Sequence, residues 1–152
     1  MKISTAADLE RLKQEGHKQL HPDTVRIMGG NATCCLARGA DKVIKAIERE
    51  AAAQKFACTI VPVGCIGLCH QEPTVEVIQP GKPRIAYGPV TVDDVPEFVK
   101  ALAANGVDKK RALFRSEQEY SLFAAEPYRY AKGAVSDEFK DITAYGDVPF
   151  YK

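Results

Sequence analysis

The most informative stretch of this 152-residue sequence is Gly64-Cys65-Ile66-Gly67-Leu68-Cys69-His70-Gln71-Glu72-Pro73. Three residues separate its two cysteines, and its two glycines allow the chain between them to bend sharply. Such a loop can direct both sulfurs at one iron while its backbone N–H groups stay free to hydrogen-bond sulfur. The stretch therefore predicts a metal or redox loop, with a disulfide or two ordinary buried thiols as the alternatives.

Strand-like segments lie on both sides of this loop. Residues 56–63 predict a strand that leads into it, and residues 74–78 alternate apolar and polar side chains after it. A turn over 79–83 then returns the chain through Arg84–Tyr87 as the partner of a hairpin. The loop is therefore expected at the carboxyl end of a core strand.

Another two cysteines, Cys34 and Cys35, lie upstream in a similar setting. A strand over 25–28 is expected to end at Gly29-Gly30, before a loop over 31–39. The next residues predict a helix, because apolar side chains recur at helical spacing at Val43, Ile44, Ile47 and Ala51. Each of the two cysteine-bearing loops thus follows a predicted strand.

Further helices are predicted before and after these segments. The first covers 6–15, with Ser4 or Thr5 as its cap and Gly16 as its end. The last is capped by Thr91, ends at Asn105-Gly106 and has an apolar side made of Val95, Phe98, Val99 and Leu102. The order strand, helix, strand, hairpin, helix predicts an α/β fold in which helices flank a mixed sheet.

The character of the sequence changes after residue 106. A basic run, Lys109-Lys110-Arg111, is followed by aromatic residues without a sustained helical or strand period, and a short helix is expected around 116–124. We predict an N-terminal helix and connector over 1–22, a main domain over 23–106, and a linker or docking extension over 107–152. The aromatic residues of this extension are Tyr120, Phe123, Tyr128, Tyr130, Phe139, Tyr145, Phe150 and Tyr151.

Composition excludes several classes of function. The net charge is +1 and the basic residues are scattered, which argues against a nucleic-acid groove or an anionic membrane surface. No apolar run approaches the about 18 residues of a membrane span, and a cytosolic location is expected. In that reducing compartment, an odd number of five cysteines favours metal ligands, redox groups or buried thiols over a disulfide framework.

Taken together, these motifs resemble the thioredoxin-like 2Fe-2S ferredoxins, which include the small cluster-bearing subunit of NADH:quinone oxidoreductase. The resemblance covers about residues 25–106 and implies a thioredoxin-like mixed sheet, a 2Fe-2S cluster and one-electron transfer. It rests on Cys35-Leu36-Ala37-Arg38-Gly39-Ala40, on Gly64 to Cys69 with Glu72-Pro73, and on Val90-Thr91-Val92-Asp93-Asp94-Val95.

The first loop departs from the family pattern, which has two cysteines separated by four residues. With Cys35 aligned on the second of these, Gly30 stands in place of the first, and Cys34 is an additional neighbour. Three explanations are open: both Cys34 and Cys35 are ligands, three thiolates are joined by another donor, or the cluster has been lost and a cofactor-free interaction domain remains. We predict the metal ligands Cys34, Cys35, Cys65 and Cys69, with backbone N–H groups at Gly64 and Gly67 donating to sulfur.

The resemblance also implies partners. The sequence is similar to the version of this domain that is fused ahead of the flavin subunit in NADH-oxidising complexes, soluble hydrogenases, formate dehydrogenases and electron-bifurcating enzymes. The expected partners are a flavin-containing NADH-oxidising subunit or module and other iron–sulfur subunits, and a homodimer is a further option. The sequence contains no Gly-rich nucleotide fingerprint, so no FMN or NAD site is expected in this chain.

Two other uses of the cysteines remain open. A thioredoxin-type dithiol prefers two residues between its cysteines at the amino end of a helix, whereas the loop here has three. Zinc also accepts four thiolates, although a chain of this size has enough core to fold without a structural ion. Cys58 is expected to be a core residue, and His70 a surface residue rather than a ligand of the Rieske type.

Overall fold

A computed structural model describes residues 3–21, 23–119, 126–131 and 135–149. The main domain follows the predicted order of elements, and three further short strands come from the segment after residue 106. The helices are α1 (Ala6–Leu20), α2 (Thr33–Ala37), α3 (Ala40–Ala53) and α4 (Val95–Ala103). The strands are β1 (Val25–Gly30), β2 (Cys58–Val63), β3 (Val75–Ile78), β4 (Arg84–Tyr87), β5 (Ala112–Ser116), β6 (Gln118–Glu119) and β7 (Tyr128–Arg129).

The main sheet has five strands in the order β2-β1-β3-β4-β5, and the predicted mixed sheet is confirmed. β1 and β2 are parallel, with Val25 opposite Cys58 and Gly30 opposite Val63, while the remaining pairs are antiparallel. Parallel strands end at the same edge of a sheet, so the segments that follow β1 and β2 emerge side by side. Both cysteine-bearing segments therefore start at one edge.

Helices α3 and α4 cover the sheet with their apolar sides. The buried residues of α3 include Val43 and Ile47, as the helical spacing predicts, and Phe98 of α4 packs edge-to-face on Tyr87 of β4 at 5.0 Å between ring centroids. The buried side of α4 is the predicted one, and it consists of Val95, Phe98, Val99 and Leu102. These contacts form the main hydrophobic core, which holds the strands that carry the cysteine segments.

Several predicted boundaries are wrong. α1 continues through Gly16 to Leu20, because a glycine in an exposed helix interior costs only about 1 kcal/mol. β1 includes Gly29 and Gly30, whose backbones pair with the neighbouring strands. A side chain at position 29 would not fit there, since a Cβ built on Gly29 would lie 1.9 Å from Ile44 Cδ1 of α3. The predicted loop over 31–39 contains the short helix α2.

The segment after residue 106 contributes to the main domain. The sequence predicts no strand there, yet β5 pairs with β4 at the edge of the main sheet, while β6 pairs with β7. The expected short helix over 116–124 is wrong for 116–119, which comprise the end of β5, a bend at Glu117 and β6; its remaining residues lie outside the described ranges. Phe139 and Ile142 are buried in the main core, and Tyr130 packs with Met28 and Ile78.

The remaining aromatic residues divide between described and undescribed parts of the chain. Tyr145 contacts Phe114 of β5 at 5.4 Å between ring centroids, and Tyr128 stacks on His21 at 3.5 Å. Within the described ranges, no helix has the length and apolar character needed to cross a membrane. The expectations for four aromatic residues concern positions that the structure does not describe: Tyr120, Phe123, Phe150 and Tyr151.

Candidate metal centre

Helix α2 brings the two adjacent cysteines together. Consecutive residues in a helix are rotated by about 100° around its axis, whereas consecutive residues in a strand point to opposite faces. In this conformation the Sγ atoms of Cys34 and Cys35 lie 3.9 Å apart. Cys35 is fully buried and Cys34 is half-buried. The two sulfurs are thus close enough to act as a pair, despite their adjacency in sequence.

The second loop holds its own pair of sulfurs. Cys65 Sγ and Cys69 Sγ are 3.6 Å apart, and the Gly67 amide donates a hydrogen bond to Cys65 Sγ at 3.3 Å. Gly67 adopts a left-handed conformation with φ of 91°, which glycine accepts without strain. The exposed Cys69 begins a short 3-10 turn over Cys69–Gln71. Among the hydrogen bonds of the described residues, Gly67 has a sulfur partner and Gly64 does not.

The spacing within each pair suits one metal ion. Two thiolates bound at about 2.3 Å to a tetrahedral ion lie about 3.8 Å from each other. The observed separations of 3.9 Å for Cys34–Cys35 and 3.6 Å for Cys65–Cys69 are close to that value. The two pairs also lie next to each other, because the sulfurs of Cys34, Cys35 and Cys65 lie within 4.8 Å of one another and Cys34 also hydrogen-bonds with Cys69. The thiol set therefore fits a centre that takes two sulfurs from each segment.

Gly30 explains how the altered first segment can still supply two sulfurs. A Cβ built at this position would lie 2.7 Å from Cys35 Sγ and 3.4 Å from Glu72 Oε2. Cys35 Sγ therefore uses the space beside the end of β1 that a side chain at position 30 would need. The observed inward orientation of the Cys35 side chain thus requires that position 30 has no side chain.

Glu72 is a site residue that sequence reasoning missed. Its side chain is fully buried, and its Oε1 accepts the thiol hydrogens of Cys35 at 3.1 Å and Cys65 at 3.5 Å. Its Oε2 accepts the backbone N–H of Thr74 at 2.7 Å. The carboxylate thus joins the two cysteine segments. The available signal was an acidic residue three positions after Cys69, directly before the apolar stretch that becomes β3.

The environments of the thiols differ. Hydrogen bonding with Cys65 is the main cause that lowers the pKa of Cys34. Burial, followed by the bond to Glu72, raises the pKa of Cys35 to about 11. The Gly67 N–H favours the thiolate of Cys65, but burial and the neighbouring thiols and carboxylate outweigh it and raise its pKa to about 12. A metal ion that binds these two thiols must therefore displace their protons.

The other two candidate groups stay outside this centre. Cys58 begins β2 opposite Val25 and packs against the main core, as predicted, and burial raises the pKa of its thiol. His70 is exposed in the 3-10 turn, in agreement with the expected surface position.

The fold and the converging thiols define a thioredoxin-like scaffold that carries a candidate metal centre, and comparisons with known proteins agree. No protein-family model matches the sequence. The chain is 30% identical over 88 residues to "Ferredoxin, 2Fe-2S" of Clostridium pasteurianum, a match that covers 57% of this chain and 83% of that protein. It is 28% identical over 110 residues to "NADP-reducing hydrogenase subunit HndB" of Solidesulfovibrio fructosivorans, covering 68% and 87% respectively.

A solved structure shows the same fold. The thioredoxin-like [2Fe-2S] ferredoxin from Aquifex aeolicus superimposes with a TM-score of 0.51 at 22% identity, over 61% of this chain and 93% of that one. The predicted thioredoxin-like fold is therefore confirmed. The chain belongs to the family of thioredoxin-like 2Fe-2S ferredoxins.

Proposed function

We propose that this chain carries a 2Fe-2S cluster and serves as an electron-transfer domain or subunit of an NADH-linked oxidoreductase complex. The main support is geometric: two pairs of thiols, each with the separation suited to one metal ion, lie next to each other at one edge of the sheet. The ferredoxin relative, whose name includes the same cluster, supports this assignment. The fold supplies the two segments from which such clusters take their thiolates.

The proposed ligands are Cys34 and Cys35 for one iron and Cys65 and Cys69 for the other. Bound there, the cluster supplies one-electron transfer, which needs no general acid or base from the protein. The Gly67 N–H donates to Cys65 Sγ, and such a bond stabilises negative charge on sulfur and raises the reduction potential. Cys69 is exposed, so this side of the site gives a redox partner its shortest approach.

The proposed partners are a flavin-containing NADH-oxidising subunit and other iron–sulfur subunits. The hydrogenase subunit among the relatives supports a place in a multi-subunit complex. We propose residues 107–152 as linker or docking extension, although β5 within this range also completes the main sheet. Two statements remain predictions: the chain holds no FMN or NAD site, and it is cytosolic. A homodimer remains a further option.

The test is metal and sulfide analysis of the full chain purified without oxygen, together with visible and EPR spectra. We expect two irons and two sulfides per chain, visible charge-transfer bands and an EPR signal after one-electron reduction. A colourless, metal-free protein prepared in this way, with the fold intact by circular dichroism, would overturn the proposal and favour a cofactor-free interaction domain.

A further inference from the structure

The metal centre contains a second, overlapping set of donors in which one atom is oxygen. We propose that the cluster-free protein binds a single tetrahedral divalent ion of the zinc class through Cys34, Cys35, Cys65 and Glu72. The thiolates and the carboxylate supply one ligand atom each, and all four atoms lie within 4.8 Å of one another. This inference does not rest on the proposed cluster, although the two sets of donors share three thiols.

The separations between donor atoms support one ion at this position. For metal–sulfur bonds of about 2.3 Å and metal–oxygen bonds of about 2.1 Å, tetrahedral geometry places sulfur about 3.8 Å from sulfur and about 3.6 Å from oxygen. Cys34 Sγ and Cys35 Sγ are 3.9 Å apart, and Glu72 Oε1 is 3.1 Å from Cys35 Sγ and 3.5 Å from Cys65 Sγ. Shifts of a few tenths of an ångström complete these edges of the tetrahedron.

Glu72 has the surroundings of a ligand rather than those of a structural ion-pair partner. It is fully buried, and across the described ranges its carboxylate forms no ion pair with a lysine, arginine or histidine. Burying a carboxylate is costly unless a positive charge or a metal ion compensates it. Its Oε2 is already fixed by the Thr74 N–H at 2.7 Å, which orients Oε1 towards the sulfurs as an outer hydrogen bond orients a metal ligand.

Cys69 separates the two sets of donors. Its sulfur lies 3.6 Å from Cys65 Sγ and also hydrogen-bonds with Cys34, but it is not among the four donors that all lie within 4.8 Å of one another, and its side chain is exposed. The proposed cluster needs Cys69, whereas the single-ion site uses the buried Glu72 instead. Binding of the ion releases the thiol protons of Cys34, Cys35 and Cys65 to solvent, and the occupied site excludes the cluster because the three sulfurs are shared.

The test uses the full-length chain, stripped of metal under reducing, oxygen-free conditions and titrated with Co²⁺, which Zn²⁺ then displaces. The intensity of the sulfur-to-cobalt charge-transfer band reports the number of thiolates, and the ligand-field bands report tetrahedral geometry. We expect a tetrahedral ion with three thiolates in the wild-type protein. A band of four-thiolate intensity that Cys69→Ser reduces by about one quarter would overturn the proposal.

Variants test the oxygen ligand directly. Loss of an outer-sphere partner alone weakens metal binding by about 10–100-fold, so Glu72→Gln is expected to weaken Zn²⁺ binding by at least about 100-fold. Cys69→Ser is expected to keep the wild-type cobalt spectrum and zinc affinity. The matched control is Glu76→Gln, because Glu76 is another buried glutamate but pairs with Arg84 on the neighbouring strand.

The outcomes separate this inference from the proposed function. Unchanged zinc affinity in Glu72→Gln overturns the single-ion site, whatever the iron content of the wild-type protein. Should Glu72→Gln fail to fold by circular dichroism, the thiolate count of the wild-type protein and of Cys69→Ser still decides between three and four sulfurs. Iron and sulfide analysis tests the cluster on its own.

Discussion

At the scale of single residues, the proposed cluster depends on Cys34 and Cys35, whose sulfurs lie 3.9 Å apart although the residues are adjacent in sequence. With both as ligands, Cys34→Ser and Cys35→Ser should each shift or abolish the visible and EPR spectra of the iron-loaded protein. Cys58→Ser is the matched control and should leave the spectra unchanged, since Cys58 packs against the core at the start of β2. A silent Cys34→Ser or Cys35→Ser would show that the cluster has three thiolates and another donor.

Gly30 offers a second residue-scale prediction. Gly30→Ala places a Cβ 2.7 Å from Cys35 Sγ, so the thiol must move away. Overpacking of this kind costs about 1–3 kcal/mol, and we expect iron content to fall together with stability. The control is Gly146→Ala, because a Cβ at Gly146 would have no heavy atom within 4 Å. Equal iron content and equal unfolding temperature in the two variants would contradict the steric role of Gly30.

At this scale the sequence predicts one half of the site well. The spacing of Cys65 and Cys69 around Gly67 is local information, and the structure brings their sulfurs to 3.6 Å as the loop was expected to do. The pairing of Cys34 with Cys35 depends on the short helix α2. This helix has only five residues, too few for a helical period to be recognised in the sequence. The role of Glu72 depends on tertiary contacts with both cysteine segments, which residue spacing does not contain.

At the scale of elements, α1 is attached mainly through its carboxyl end. None of its residues is buried, but Arg26 donates to the carbonyl oxygens of Gln19 and Leu20 at 2.9 Å, and His21 stacks on Tyr128. The combined substitution Arg26→Ala and Tyr128→Ala should release the helix, with amide protection across α1 falling about 10-fold in hydrogen exchange.

The rest of the domain provides the reference for this experiment. Amides of the main sheet should exchange at the wild-type rate in the same variant. Lys13→Ala, which removes an exposed pairing with Glu10 within α1, serves as the control and should leave the protection of α1 nearly unchanged. Loss of protection in the sheet as well would contradict the local attachment of α1.

The start of α4 depends on a carboxylate whose charge is stabilised by the fold. Arg111 donates to Asp94 at 2.5 Å, and this bond is the main cause that holds the pKa of Asp94 below its usual range, with Thr91 adding a further hydrogen bond. Because the folded pKa is below the unfolded one, the contribution is present above about pH 4 and is lost as pH falls through lower values.

Asp94→Asn tests this pH dependence. Near neutral pH the variant should be less stable by about 1.5–3 kcal/mol, the range for hydrogen bonds to charged groups. The free energy of unfolding of the wild-type protein should fall more steeply than that of the variant between about pH 5 and pH 2. Urea unfolding at several pH values measures both curves, and parallel curves would contradict the role of the Asp94 charge.

Sequence periodicity is a good guide to the longer elements and a poor one to the short elements. The apolar spacing in α3 and α4 predicts their buried sides, because a helix of several turns repeats its pattern. β5 has only five residues, and apolar and polar side chains do not alternate cleanly along them. One of the five is Arg115, whose side chain donates to the Ile142 carbonyl. The pairing with β4, rather than local preference, makes it a strand.

At the scale of the whole molecule, the segment after residue 106 closes the core. β5 covers the edge of β4, while Phe139 and Ile142 fill the main core. In a chain that ends at residue 106, the free energy of unfolding should therefore fall by at least about 5 kcal/mol, because removal of one core phenylalanine alone lowers it by about 3–5 kcal/mol. The free energy of unfolding of a native domain is about 5–15 kcal/mol in total. We therefore expect little folded protein in the chain that ends at residue 106.

Thermal unfolding followed by circular dichroism measures this effect. The control is a chain that ends at residue 149, which keeps β5 and the buried residues of the later segment. A cooperative transition at the wild-type temperature in the chain ending at 106 would show that residues 23–106 form an independent domain, as the sequence predicts.

The close approach of position 30 to Cys35 also bears on how such a site changes in evolution. Under the proposed function, a cysteine gained at position 34 makes a sulfur at position 30 redundant, so that position can become glycine without loss of the cluster. Gly30→Cys in the present chain would in turn add a third thiol to the first segment beside Cys35, and Cys34 is then expected to become dispensable. Under the proposed function the two positions are therefore coupled: the effect of a cysteine at position 30 depends on whether position 34 also carries one.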